Sequence, residues 1–193
     1  MKRVLLITLA LFATGLVHGQ EKFEIGLVAD AGYFNTGDLE NEFEFTNTLS
    51  VNGGVYLLKP VFNQQFVETG LLFNYRKTEI DENYLREDMS LIGVSLNSLE
   101  LPFNYGLKLN NNWMVKAGIS GAWLLDENIE REKFEINGQL GVGHDLNRVK
   151  IFLNYQQGIN KTDFMLRDSD RGLFIKHRRS LLKLDVNIPI FRF

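Results

Sequence analysis

Apolar and polar residues alternate along most of the chain between Phe23 and Phe193. An alternation with a period of two residues is typical of β-strands that have one apolar face. Polar or turn-forming connections interrupt the pattern, and long and short connections alternate along the chain. The pattern predicts eight strands: Phe23–Phe34, Phe45–Leu58, Phe66–Lys77, Leu96–Leu109, Trp113–Leu125, Phe134–His144, Val149–Gly158 and a last strand after the long connection Ile159–Lys176.

The order of the connections predicts how the strands are assembled. Strands that cross a bilayer must close into a barrel, because hydrocarbon offers no water to an unpaired strand edge. Outer-membrane barrels have short periplasmic turns and longer extracellular loops. Short turns are expected near residues 60, 111 and 146, and long loops near residues 40, 86, 129 and 168. We therefore predict an all-β fold, an eight-stranded antiparallel up-and-down transmembrane β-barrel.

Alternation alone does not tell which face of the barrel is apolar, because a soluble lipocalin-like barrel keeps its apolar face inside. The glycines favour the membrane orientation, since a crowded interior needs small residues. The polar face carries Gly26, Gly32, Gly54, Gly70, Gly106, Gly118, Gly141, Gly143 and Gly158, whereas the apolar face carries Gly53, Gly121 and Gly138. The apolar face also has more bulk than an eight-stranded interior holds.

In the membrane orientation, the charged residues of the polar face lie in the barrel lumen. These are Glu24, Asp30, Glu68, Arg76, Glu100, Lys108, Lys116, Glu135, Lys150, Lys183 and Asp185. Both signs are present, as a buried network of ion pairs requires. The set predicts a plugged, non-conducting lumen, and a narrow ion path is the alternative.

The N-terminal residues have the features of an export signal. Lys2 and Arg3 form a positive region, Val4–Leu11 is apolar, and Val17 and Gly19 lie at the small-residue positions of a cleavage site. We expect a signal peptide over residues 1–19 and one barrel domain over residues 20–193. The apolar run is too short for a spanning helix.

Composition argues against several function classes. The chain has 21 basic and 24 acidic residues, a net charge of −3 and no Cys, whereas a nucleic-acid-binding domain usually carries a basic patch. No metal-ligand cluster or phosphate loop is seen in the sequence, so no cofactor is expected. The acidic stretches 79–88 and 126–132 lack the spacing of a calcium loop. We interpret them as solvated loops, with a divalent cation site as the alternative.

Catalytic residues are not expected either, although one combination is conceivable. A lipid-modifying hydrolase or acyltransferase needs a His beside a nucleophile and a carboxylate. His177, Ser180 and Asp170 offer these groups, but nothing in their spacing selects them. A basic cluster near the outer rim has two interpretations, a contact with lipopolysaccharide phosphates or a solvated loop end. Its members are Lys176, His177, Arg178 and Arg179.

Several short motifs carry a resemblance to a known family. They are Gly19-Gln20, Leu57–Phe62 followed by Phe66–Leu71, Leu99–Pro102, Tyr155–Ile159 and the terminal Phe193. On these residues the mature chain resembles the outer-membrane β-barrel proteins of Bacteroidota, of the porin-family or PorT-like type. The resemblance implies a bacterial outer-membrane location and assembly by the outer-membrane insertion machinery, for which Phe193 is the assembly signal.

One departure from the strand pattern lies at the C-terminus. The apolar residues of the last strand are at even positions, yet Phe191 and Phe193 are odd. Pro189 is the expected place of a bulge that switches the register. The alternative is that the terminal signal is imperfect.

The sequence thus predicts a non-enzymatic barrel in the outer membrane, in contact with lipid and lipopolysaccharide. We expect a structural or interaction role through the extracellular loops, where a protein partner has room to dock. Three alternatives are kept: an accessory component of a secretion or surface-assembly apparatus, a lipid-A-modifying enzyme, and a small-solute pore.

Overall fold

The computed structural model describes residues 23–38, 44–62, 64–81, 92–109, 112–125, 133–160, 162–168 and 171–193. The strands among these residues are β1 (Glu24–Asp38), β2 (Glu44–Phe62), β3 (Gln65–Asp81), β4 (Ile92–Lys108), β5 (Trp113–Leu124), β6 (Phe134–Asp145), β7 (Lys150–Gly158), β8 (Thr162–Asp168) and β9 (Arg171–Arg192). Within these ranges no helix is long and apolar enough to cross a membrane. The signal peptide over residues 1–19 lies outside the described residues and stays a prediction.

The strands form one closed antiparallel sheet. Each strand pairs with the next in the order β1 to β7 and then β9, and β9 closes the barrel by pairing with β1. β8 adds no ninth strand to the circumference of the barrel, because it follows β7 along the same edge of β9. The β7–β9 pairing ends at Gln157–Ser180, and the β8–β9 pairing resumes at Thr162–His177. The predicted eight-stranded up-and-down barrel is therefore confirmed.

The strands are longer at one end than the alternation predicts, which corrects two expectations. The stretch Ile159–Lys176 is not one long loop, because β8 and the start of β9 pair within it, as at Phe164–Ile175. Likewise, Ile80 pairs with Ile92, inside a segment expected to be a loop. Alternation marks a strand whose two faces differ in polarity, whereas backbone pairing does not require it and continues through runs such as Phe164–Leu166, where consecutive residues are apolar. The long loops are thus hairpin tips.

The two ends of the barrel differ in the length of their connections. At one end, which we call the turn end, the connections are residues 63–64, 109–112 and 146–149. Asn112 and Asn147 have φ angles of 65° and 67° there, in the left-handed region that Asn tolerates in tight turns. The opposite end, which we call the loop end, has the connections between β1 and β2, β3 and β4, β5 and β6, and β8 and β9. The first three have five to ten residues, as predicted, whereas the β8–β9 connection has two, residues 169–170, so the long loop predicted near residue 168 is wrong.

The apolar face of the sheet points outward. Leu101 and Leu140 are each 61% exposed, whereas Asn52 and Asn104 on the opposite face are 4% and 2% exposed. A soluble barrel would show the reverse. Because a continuous apolar band around a barrel is the surface that faces lipid, the predicted transmembrane orientation is confirmed.

The last strand changes register just before the C-terminus. Ile25 pairs with Phe191 while Gly26 pairs with Pro189, so Ile190 is an extra residue in a β-bulge. After the bulge, Arg192 Nε donates to Glu24 Oε2 at 2.9 Å. Phe191 and Phe193 are 57% and 59% exposed. The predicted bulge at Pro189 is confirmed, and it places both terminal Phe rings on the outer face.

Candidate functional site: the barrel lumen

Charged side chains of both signs fill the lumen, and the 11 described here are each no more than 8% exposed. The acidic members are Glu24, Asp30, Glu68, Glu100, Glu135 and Asp185, and the basic members are Arg76, Lys116, Lys150, Arg179 and Lys183. The numbers of acidic and basic residues differ by one, so the interior is close to neutral. Lys108, predicted to belong to this set, is only half-buried at the turn end.

At the turn end, the lumen charges gather around the carboxylate of Glu24. Its Oε1 accepts a hydrogen bond from the Tyr56 hydroxyl at 2.7 Å and forms an ion pair with Lys150 Nζ. Arg192 contacts the other carboxylate oxygen from the C-terminal end of the chain. Glu24 therefore joins β1, β2, β7 and β9 at the place where the barrel closes.

In the middle of the lumen, two lysines lie among three carboxylates. Lys183 Nζ is 2.9 Å from Asp30 Oδ2 and 3.8 Å from Asp185 Oδ1. Lys116 Nζ is 2.7 Å from Glu68 Oε1 and 3.9 Å from Asp185 Oδ2. Asp185 is thus shared between both lysines, and the five groups form one connected network across the barrel.

Toward the loop end, the network continues through arginines and amides. Glu135 Oε2 is 2.8 Å from Arg179 Nη1 and 3.4 Å from Arg76 Nη1. Gln156 Nε2 donates to Glu100 Oε1 at 2.6 Å, and Arg179 Nη2 donates to the side-chain oxygen Oε1 of Gln156 at 3.3 Å. Glu135 therefore balances two guanidinium groups, and Gln156 links this group of charges to Glu100.

Arg179 corrects part of the sequence interpretation. It was expected in the rim cluster that contacts lipopolysaccharide, yet it is 3% exposed and faces Glu135 inside the barrel. The reason is strand parity, because Arg179 is on the same face as Leu181 and Lys183, which are buried. The side chains of Lys176, His177 and Arg178 lie outside the described residues, so their lipopolysaccharide contact stays a prediction.

An apolar plug, which sequence reasoning missed, lies near the turn end of the lumen. Phe66, Met114 and Phe152 are fully buried there. The plug consists of Val28, Tyr56, Leu58, Phe66, Leu72, Met114 and Phe152. Lys116 Nζ lies 4.1 Å from the centre of the Phe152 ring, a cation–π distance that joins the plug to the ion pairs above it. The available signal was parity, since Phe66 and Leu72 share the strand face of Glu68.

One cavity inside the described part of the lumen is small. A cavity lined by Glu68, Asn104, Lys116, Asp185 and Asn187, among others, has a volume of about 20 Å³. That is close to the space one water molecule needs. The charges that line it bind one another, and a solute in this part of the lumen would have to displace them.

The remaining candidate residues are His144, His177, Asp170 and the acidic loop stretches. His144 lies at the turn end, and its ring packs edge-on against Trp113 at 5.2 Å. In the part of the chain that the structure describes, no three His, Asp or Glu side chains are grouped as ligands for a metal ion. The side chains of His177 and Asp170, and the acidic loop stretches, lie outside that part.

Comparisons with known proteins agree with this geometry. The family described as outer membrane protein beta-barrel domain matches residues 18–164. The solved structure of the outer membrane protein OprG from Pseudomonas aeruginosa is 10% identical, with a TM-score of 0.55 over 91% of this chain and 97% of that one. Ail of Yersinia pestis is 12% identical, with a TM-score of 0.44 over 91% and 100% of the chains. No curated protein matches the sequence significantly.

Proposed function

Because the chain belongs to the family of outer membrane protein beta-barrel domains, we propose that it is a sealed, non-enzymatic barrel with a structural or interaction role. Its location is the bacterial outer membrane, where lipid and lipopolysaccharide surround it. The observation that carries the proposal is the filled lumen, with a charge network in its middle and an apolar plug near its turn end.

The lumen supports a sealed barrel for an energetic reason. Each buried carboxylate or ammonium has left water, and a close partner of opposite sign or, for Glu100, hydrogen bonds from amides offset the cost of desolvation. An ion entering this path would have to break such pairs, for example Lys183–Asp30 or Lys116–Glu68. It would then meet the apolar plug, in which Phe66, Met114 and Phe152 offer a charge no polar partner.

The strand lengths support a role at the loop end. A tilted strand needs roughly 9–11 residues to cross the bilayer, whereas β3 has 17 and β9 has 22. The turn end has short connections, so the excess length extends at the loop end. Such hairpins present backbone and side chains outside the membrane, where a protein partner has access to them.

Electrical recording tests the seal. The wild-type barrel is expected to give no conductance steps in planar bilayers, because the plug and the ion pairs block the lumen. Phe66→Ala combined with Phe152→Ala removes two fully buried rings and is expected to produce steps. The matched control is Phe73→Ala with Phe103→Ala, which removes two outward rings and is expected to stay silent. Regular steps from the wild-type barrel would contradict the proposal.

The non-enzymatic part of the proposal is tested on lipid A. The lipid A mass spectrum of a deletion strain is expected to equal that of the parent strain. Suppose instead that the deletion changes the lipid A mass. If the wild-type gene then reverses this change and a gene with His177→Ala does not, the protein is a lipid-modifying enzyme.

An accessory role in secretion or surface assembly is the form of interaction that the PorT-like motifs favour. These motifs, such as Leu99–Pro102 and Tyr155–Ile159, are short, so they support the role without selecting a cargo. The test is the secreted and surface proteome of the deletion strain. Loss of a defined set of exported proteins would support this role, and an unchanged set would exclude it.

Phe193 is proposed as the assembly signal read by the insertion machinery. Its backbone N–H donates to the Phe23 carbonyl at 3.0 Å, and its ring stacks on Phe23 at 4.8 Å. Phe193→Ser is expected to reduce barrel recovery from the outer membrane at least several-fold, whereas Phe191→Ser, at an equally exposed position two residues earlier, leaves it near normal. Both variants should refold in detergent micelles. Equal loss for both variants would show a general need for apolar surface instead.

A further inference from the structure

The outer wall of the barrel carries an apolar groove of about 530 Å³. The outward side chains of Tyr105, Leu107, Ala117, Leu140, Val142 and Tyr155 line it, on strands β4 to β7. The volume is within the range of about 300–1,000 Å³ that is typical of small-molecule sites. We call this feature the wall groove.

The wall groove exists because a small residue lies between large ones. Tyr105 pairs with Ala117, Ala117 with Leu140, and Leu140 with Tyr155, so the four residues form one row across the sheet. Ala117 has the smallest side chain of the row, and the tyrosines at its two ends are each nearly half exposed. The row spans three strand spacings, or about 14 Å between β4 and β7.

The position of the wall groove assigns it to one leaflet of the membrane. β5 starts at Trp113 at the turn end, and Ala117 is four residues further along the strand, a distance of about 14 Å. This is less than half of the roughly 30 Å hydrocarbon core. Since the short turns of such barrels face the periplasm, the groove lies in the periplasmic leaflet.

Polar groups suited to a lipid headgroup lie below the wall groove. Trp113 pairs with His144 across β5 and β6, and their rings are in edge-on contact at the turn end. Trp is common at membrane–water interfaces because its ring is apolar and its N–H is polar. An imidazole beside it adds a second polar group at the level of a phosphate.

We propose that the wall groove binds one acyl chain of a periplasmic-leaflet phospholipid, with its phosphate beside Trp113 and His144. The apolar lining fits a hydrocarbon chain. Trp113 and His144, at one end of the groove, lie where the acyl chain joins the polar headgroup. Lipopolysaccharide lies in the opposite leaflet.

Native mass spectrometry of the delipidated full-length barrel, mixed with phosphatidylethanolamine in detergent, tests the proposal. Wild type is expected to retain one lipid per barrel. Ala117→Phe fills the groove and is expected to bind the lipid about tenfold more weakly, the effect of leaving roughly two methylene groups unburied. The matched control is Ala31→Phe, which adds the same ring to a lipid-facing alanine of β1 outside the groove and is expected to bind as wild type does.

Folding of each variant is checked by its gel mobility with and without boiling. If Ala117→Phe does not fold, Val142→Phe fills the same groove from β6. Retention by the filled variant equal to that of wild type would overturn the proposal, as would a wild-type barrel that retains no phospholipid. A dimer signal that Ala117→Phe abolishes would assign the groove to a second copy of the chain. Preferential retention of lipopolysaccharide would place the groove in the other leaflet.

Discussion

Glu135→Gln is expected to lower the free energy of unfolding by about 3–5 kcal/mol, the usual cost of removing one partner from a buried ion pair. The change removes the negative charge between Arg179, at 2.8 Å, and Arg76, at 3.4 Å. The two guanidinium groups then repel each other in a lumen that water hardly reaches. Urea unfolding of the barrel in lipid vesicles, followed by Trp fluorescence, measures the effect.

A second substitution separates charge imbalance from lost packing. Adding Arg179→Gln to Glu135→Gln removes one of the two unbalanced charges, so it is expected to restore at least half of the lost stability. Ile136→Leu, at the neighbouring lipid-facing position, serves as the control and is expected to have little effect. A Glu135→Gln barrel as stable as wild type would mean that the charge of Glu100 and the hydrogen bond that Gln156 accepts from Arg179 are sufficient without Glu135.

Gly54→Ala is expected to cost about 1–3 kcal/mol, typical of an overpacked interior, whereas Gly53→Ala on the neighbouring residue costs little. A Cβ on Gly54 would lie 2.9 Å from Leu72 Cα and would collide with the Leu71 carbonyl oxygen. These are backbone atoms of the paired strand, which cannot move aside. A Cβ on Gly53 would have its nearest neighbour, the Val28 carbonyl oxygen, at 3.9 Å.

The same urea unfolding series measures both glycine variants, together with their yield in the outer membrane. Gly53 and Gly54 are adjacent in β2, so the two substitutions have the same effect on strand propensity. A difference in stability between the two variants therefore reports the face of the strand on which each residue lies. Equal effects would mean that the cost comes from the strand backbone and that the lumen near Gly54 has room for a methyl group.

The sequence was sufficient for the fold because lipid imposes a strict rule on every strand. Outward residues must be apolar, so parity alone divides each strand into two faces. Parity placed Lys183 and Asp185 in the lumen, and the same rule explains the bulge at Ile190 before Phe191. Closure into a barrel followed from the need to pair every strand edge in hydrocarbon.

Two kinds of feature were not predictable from the same pattern. β8 and the start of β9 have consecutive apolar residues, Phe164–Leu166 and Leu173–Ile175, so their pairing left no alternation to detect. Inside the lumen, Phe66, Met114 and Phe152 have the parity of the charged residues but not their chemistry. These three side chains meet near the turn end because of the offset between neighbouring strands. The sequence of a single strand carries no information on that offset.

The contact between Arg192 and Glu24 has a consequence for the order of events in folding. The two residues are 168 positions apart, so the barrel joins the beginning of its domain to its last residues. A chain that is still being exported therefore lacks β9, the strand whose backbone pairs with β1. The ion pairs that Lys183 and Asp185 make in the lumen cannot form yet. High contact order of this kind slows folding. The unfinished barrel must remain unfolded and protected from aggregation until synthesis and export are complete.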